Sequence, residues 1–72
     1  MHKLPLVKFS PEIVILMRSA LDNAVQRIDR SYRTPATRAK MAQRIVKTAS
    51  EGLTDLHTLA SVAVDEGREP AE

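Results

Sequence analysis

The stretch SPEIVILMRSALDNAVQRI, residues 10–28, decides the fold class of this chain. Ser10, Pro11 and Glu12 form a strong helix start, because a serine oxygen caps free N–H groups, proline fits the first turn, and the helix dipole favours an acid there. Apolar residues then recur at helical spacing. We therefore predict a first helix from Pro11 to Ile28 in an all-α protein, with an apolar stripe of Met17, Leu21, Ala24 and Ile28 that is widened by Ile13, Val14, Ala20 and Val25.

A second helix is predicted from Pro35 to Glu51. Thr34 followed by Pro35 repeats the pattern of a capping oxygen and a first-turn proline, and Gly52 is typical of a helix C-cap. The connection through residues 29–33 is short, which favours an antiparallel helical hairpin. The predicted apolar face of this second helix consists of Ala39, Ala42, Ile45, Val46 and Ala49.

A shorter third helix is predicted from about Asp55 to Asp65, with Thr54 or Asp55 as its cap. Its apolar face would hold Leu56, Leu59, Ala60 and Ala63. We expect it to be the weakest of the three helices, because it is short and contains β-branched residues. The predicted organisation is an extended N-terminal arm over residues 1–9, a three-helix domain over residues 10–66, and a disordered tail over residues 67–72, with the arm docking through Leu4, Leu6 and Phe9.

The composition makes self-association an attractive source of stability. A single core is marginal for a chain of 72 residues, and the absence of cysteine excludes disulfides and thiolate metal sites. Residues 13–17 place apolar side chains around the whole circumference of the first helix, which a three-helix monomer cannot cover from one side. We therefore predict a dimeric helical bundle, a homodimer or a complex with another protein, with an interface at Ile13, Ile15, Leu16 and Met17. The alternatives are a solitary exposed Ile15, or cover from the N-terminal arm.

Charge is distributed unevenly along the chain. Residues 1–50 carry ten Lys or Arg and three acids, and residues 51–72 carry one Arg and six acids. This pattern supports an alternative function, a small nucleic-acid-binding regulator. Its anion-binding face would consist of Arg30, Arg33, Lys40, Arg44 and Lys47. An ordinary solvated face, with Lys47 paired to Glu51, would explain the same residues. Arg38 is predicted at the edge of the apolar side, with its guanidinium in solvent or near a carboxylate such as Asp29 or one of the C-terminal segment. The alternative for Arg38 is an arginine that binds a partner.

A helix-turn-helix interpretation is disfavoured, because the predicted third helix begins with Asp55 and contains no Lys or Arg. His2 and His57 belong to no spaced ligand set, and two glycines cannot form a phosphate-binding loop. The sequence thus predicts no enzyme activity, no cofactor and no metal. We also expect no membrane span and a cytoplasmic location, because no apolar run is long enough for a span or a signal peptide.

The segment TPATRAKMAQRIV, residues 34–46, followed by Ala49 and Gly52, resembles a segment of short alphaproteobacterial proteins that have no assigned activity. It covers about a quarter of the chain. The resemblance implies a bacterial helical protein and transfers no functional residue.

Overall fold

The computed structural model describes residues 9–68, and this part of the chain folds into three α-helices without strands. Helix α1 spans Pro11–Arg27, α2 spans Pro35–Ser50 and α3 spans Leu56–Arg68, with a short 3-10 turn at Arg30–Tyr32. The all-α prediction is confirmed. The predictions for the arm up to residue 8, including Leu4 and Leu6, and for residues 69–72 lie outside the described residues.

The predicted caps of α1 and α2 are confirmed. The Ser10 hydroxyl oxygen accepts a hydrogen bond from the Ile13 backbone N–H at 3.3 Å, and the Thr34 hydroxyl oxygen accepts one from the Thr37 N–H at 3.1 Å. These bonds satisfy N–H groups that have no partner within the helix. Short-range sequence signals therefore place both helix starts correctly.

The end of α2 and the start of α3 are also set by local bonds. Gly52 has a φ of +98°, which favours glycine, and the Leu53 N–H donates to the Thr48 carbonyl at 3.3 Å, as in a Schellman motif. Asp55, rather than Thr54, caps α3 by accepting from the Thr58 N–H at 3.0 Å and from the Thr58 hydroxyl at 3.2 Å. The Thr58 backbone and hydroxyl hydrogen bonds lower the pKa of the Asp55 carboxyl.

Helix α3 is the centre of the fold. It packs against both α1 and α2 more extensively than those two helices pack against each other. We expected it to be the weakest helix, yet its tertiary contacts compensate for its short length. The core contains three large side chains with almost no exposed surface, Met41, Ile45 and Leu59. The other buried apolar residues of the core are Ala20, Ala24, Ile28, Ala49, Ala60, Ala63 and Val64.

The buried face of α2 differs from the prediction. Met41, Thr37 and Thr48 are buried, whereas Ala39 is exposed and Val46 is 45 % exposed. The predicted face was chosen to include the alanines of α2. In the structure, α3 packs against the side of α2 that carries the larger Met41. The buried threonines are tolerated because, within residues 9–68, no buried side-chain nitrogen or oxygen lacks a hydrogen-bond partner.

Helix α3 continues beyond the predicted domain boundary at residue 66. Gly67 and Arg68 belong to the helix, and Gly67 is buried rather than part of a tail. A Cβ atom at Gly67 would lie 2.8 Å from the Met41 Sδ, so glycine permits a close approach between α3 and α2. The first two residues of the predicted disordered tail are therefore assigned wrongly. None of the helices within residues 9–68 is long and apolar enough to cross a membrane.

Candidate interaction surface

An apolar groove of about 160 Å³ lies between α1 and α2. We call it the α1–α2 groove. Its floor includes the buried Ile45, and its rim includes Val14, 37 % exposed, and Val46, 45 % exposed. The groove exists because α1 and α2 both pack closely on α3 but less closely on each other. Its lining is completed by Met17, Arg18, Leu21 and Ala42.

The α1 side of the groove has the spacing of a helix-packing site. Its four residues, Val14, Met17, Arg18 and Leu21, occupy positions i, i+3, i+4 and i+7. Four residues at this spacing enclose a hole on a helix surface that can receive one side chain of a neighbouring helix. The geometry of this groove therefore suits an aliphatic side chain presented by another helix.

The four residues predicted as a partner interface do not share one open surface. Ile15 is 64 % exposed, on the side of α1 where the helical spacing predicts solvent. Leu16 and Met17 are half-buried against the core, and Ile13 is also half-buried. Successive helical residues differ in direction by about 100°, so consecutive positions cannot face one partner together. The contribution of α2 was not predicted from the sequence, because the groove forms between two helices whose relative placement depends on tertiary packing.

The five residues of the predicted anion-binding face do not lie together on one helix. The Arg33 side chain donates from Nε to the Ile28 carbonyl at 3.2 Å and from Nη2 to the Gln26 carbonyl at 3.1 Å. Arg33 thus binds carbonyl groups at the end of α1, where a cation is favoured by the helix dipole. Arg30 is exposed on the separate 3-10 turn. Two of the five predicted residues therefore lie outside α2, and one of these has a structural role.

The remaining three cations line a shallow cleft on α2 together with Gln43 and Glu66. Lys40 Nζ lies 3.9 Å from Glu66 Oε2, so the acidic end of α3 partly neutralises this face. Arg44 and Lys47 are exposed. The ion pairs within residues 9–68 do not include Lys47 with Glu51. The open basic surface of α2 is therefore reduced to Arg44 and Lys47.

A second cavity, of about 230 Å³, lies where α1 ends and α2 begins. Val25, Ile28 and Met41 form its apolar part, and Arg33 and Arg38 line it as well. Arg33 is bound to the α1 carbonyls described above. Arg38 pairs with Asp22, Nη2 to Oδ1 at 3.4 Å, rather than with Asp29 or a C-terminal carboxylate. Both guanidinium groups of this cavity are therefore already engaged.

The described part of the chain contains no group of side chains that could bind a metal ion. His57 is exposed near the start of α3, and no three His, Cys, Asp or Glu residues between positions 9 and 68 could together hold a metal ion. The α1–α2 groove is thus the most developed candidate site.

Comparison of the chain with protein-family models, with curated proteins and with solved structures finds no match.

Proposed function

We propose that this chain is a protein–protein interaction module that binds an amphipathic helix of its partner in the α1–α2 groove. The observation that carries the proposal is the apolar lining, which is open at Val14 and Val46 and has a helix-packing hole on its α1 side. Exposed apolar surface of this kind is removed from water when a partner binds. The proposal includes the cytoplasmic location predicted from the sequence.

The expected partner chemistry follows from the lining. Six of the seven lining residues are apolar, and Arg18 is the only charged one. Recognition of a helix in such a groove relies on apolar anchors one helical turn apart, with polar residues at the edges. The partner helix should therefore present an aliphatic ridge, together with an acid that can reach Arg18.

The dye ANS, which fluoresces on exposed apolar surface, tests the groove without knowledge of the partner. We expect dilute wild-type protein to enhance ANS fluorescence and Val46→Glu to lose most of that enhancement, because a carboxylate at the rim makes the groove polar. Leu56→Glu is the matched control, since Leu56 is 41 % exposed, similar to the 45 % of Val46, but lies outside the groove. Equal dye signals from both variants, with unchanged circular dichroism, would contradict the proposal.

The alternative function, nucleic-acid binding through α2, is supported by the exposure of Arg44 and Lys47. If these two residues contact two phosphates, raising the salt from about 50 to about 200 mM should weaken binding about tenfold. Fluorescence anisotropy with labelled single-stranded and duplex oligonucleotides measures this, with the double variant Arg44→Gln and Lys47→Gln as control. The absence of binding at low salt would eliminate the alternative.

A further inference from the structure

We infer that the N-terminal arm of the same chain binds in the α1–α2 groove through Leu4 and Leu6, and that a partner helix must displace it. This inference rests on the proposed function, because it names what regulates access to that site. Residues 1–8 lie outside the described residues, and their sequence MHKLPLVK contains an apolar run between Lys3 and Lys8. The run has the aliphatic character of the groove lining, and its two lysines lie at its ends.

The chain enters α1 on the side that carries the groove. The Ser10 carbonyl accepts a hydrogen bond from the Val14 N–H at 3.0 Å, so Ser10 lies one helical turn before Val14 of the groove rim. Phe9 precedes Ser10, is half-buried and packs against the core. An apolar residue before the N-cap often packs on the apolar residue five positions later, here Val14, and fixes the angle at which the chain enters the helix. The end of the arm is therefore held beside the open rim of the groove.

The arm is long enough to follow the groove. On α1 the lining extends from Val14 to Leu21. Its far end lies about 15 Å along the helix axis from the first residue of α1. An extended chain advances about 3.3 Å per residue, so about 10 Å separate Phe9 from Leu6 and about 16 Å separate it from Leu4. Leu6 can thus reach the near part of the groove, and Leu4 can reach its far end.

Pro5 favours a form of the arm that suits the groove. Proline has no N–H group and disfavours a helical backbone at the residue before it, which favours an extended Leu4. Side chains two positions apart in an extended chain lie on the same side, so Leu4 and Leu6 can enter the groove together. An engineered apolar cavity of about 150 Å³ accommodates benzene. The groove of about 160 Å³ therefore has room for aliphatic side chains of the arm.

The arm needs little intrinsic affinity for the groove, because both belong to one chain. A short tether gives an effective concentration of about millimolar order. The arm therefore covers the groove reversibly, and ANS still binds to the molecules in which the groove is open. A partner helix with a longer apolar ridge than two leucines displaces the arm.

Nuclear Overhauser effects between methyl groups of the full chain test the position of the arm. We expect cross-peaks that join Leu4 or Leu6 to Val14 or Val46 at the groove rim. Leu56 is exposed outside the groove and should show no cross-peaks to the arm. A mixture of two differently labelled samples separates contacts within a chain from those between chains. Cross-peaks that occur only between chains would assign the groove to the arm of a second copy and overturn the inference, as would their complete absence.

The dye ANS measures how much of the groove the arm covers. If the arm fills the groove in half of the molecules, the double variant Leu4→Asn and Leu6→Asn should raise dye fluorescence about twofold, because dye binding scales with the open fraction. The matched control, His2→Asn with Lys3→Gln, also changes two residues of the arm but keeps its apolar run. It should leave the signal unchanged. Equal signals from the wild type and both double variants would overturn the inference.

The result for the arm is separable from that for the groove. Val46→Glu tests whether the groove binds the dye, whereas the arm variants test what covers it. A loss of dye fluorescence with Val46→Glu, without a gain from the arm variant, supports the proposed function and overturns this inference. Cross-peaks between arm and groove, in a chain whose dye signal does not respond to Val46→Glu, support the arm contact and contradict the proposed function.

Discussion

Replacement of Leu59 by alanine is expected to lower the free energy of unfolding by about 3 kcal/mol, which lies within the range for removing a buried leucine. Leu59 has no exposed surface and lies on α3, the helix that packs on both others. Its neighbours in the core include several alanines, which are too small to refill the space. A core of this size supplies only about 3 to 5 kcal/mol in total, so the variant should retain no more than about 2 kcal/mol of stability at 25 °C.

Urea denaturation followed by circular dichroism measures the effect. Leu56→Ala is the matched control on the same helix, because Leu56 is 41 % exposed and its truncation leaves no enclosed cavity. The control should cost less than about 1 kcal/mol. Similar losses from the two variants would contradict the central position of α3 in the core.

Gly67→Val is expected to lower the free energy of unfolding by about 2 kcal/mol, because extra atoms are forced into a packed contact. The first added carbon would already lie 2.8 Å from Met41 Sδ and 3.3 Å from Ile28 Cδ1. A β-branched side chain adds further atoms on both sides of that carbon and is stiff in a helix. The same denaturation experiment measures this loss.

Gly67→Ala separates crowding from helix propensity. Alanine gains about 1 kcal/mol over glycine in a helix, and the end of the flexible Met41 side chain can move away from one methyl group. We therefore expect Gly67→Ala to change stability little. A double-mutant cycle of Gly67→Val with Met41→Ala should show that the combined loss is smaller than the sum. Additive losses would contradict a direct contact.

Residues close together in sequence made much of the fold predictable. The starts of α1 and α2 follow from Ser10 with Pro11 and Thr34 with Pro35, and each capping bond joins residues three positions apart. The solvent exposure of Ile15 also followed from helical spacing, since α1 has only one apolar side that is wide enough to bury. The candidate site was less predictable, because only one of its two helices was recognised.

Features of the fold that depend on residues close together in sequence could be predicted, and features that depend on contacts between helices could not. The sequence by itself determined the all-α class, the caps and the apolar stripe of α1, because backbone hydrogen bonds and helical spacing act within a few residues. Only the tertiary structure decided which side of α2 is buried, that Gly67 lies under Met41, and that Arg33 binds the end of α1. The α1–α2 groove belongs to this second group, because it forms where α3 holds two helices that pack less closely on each other.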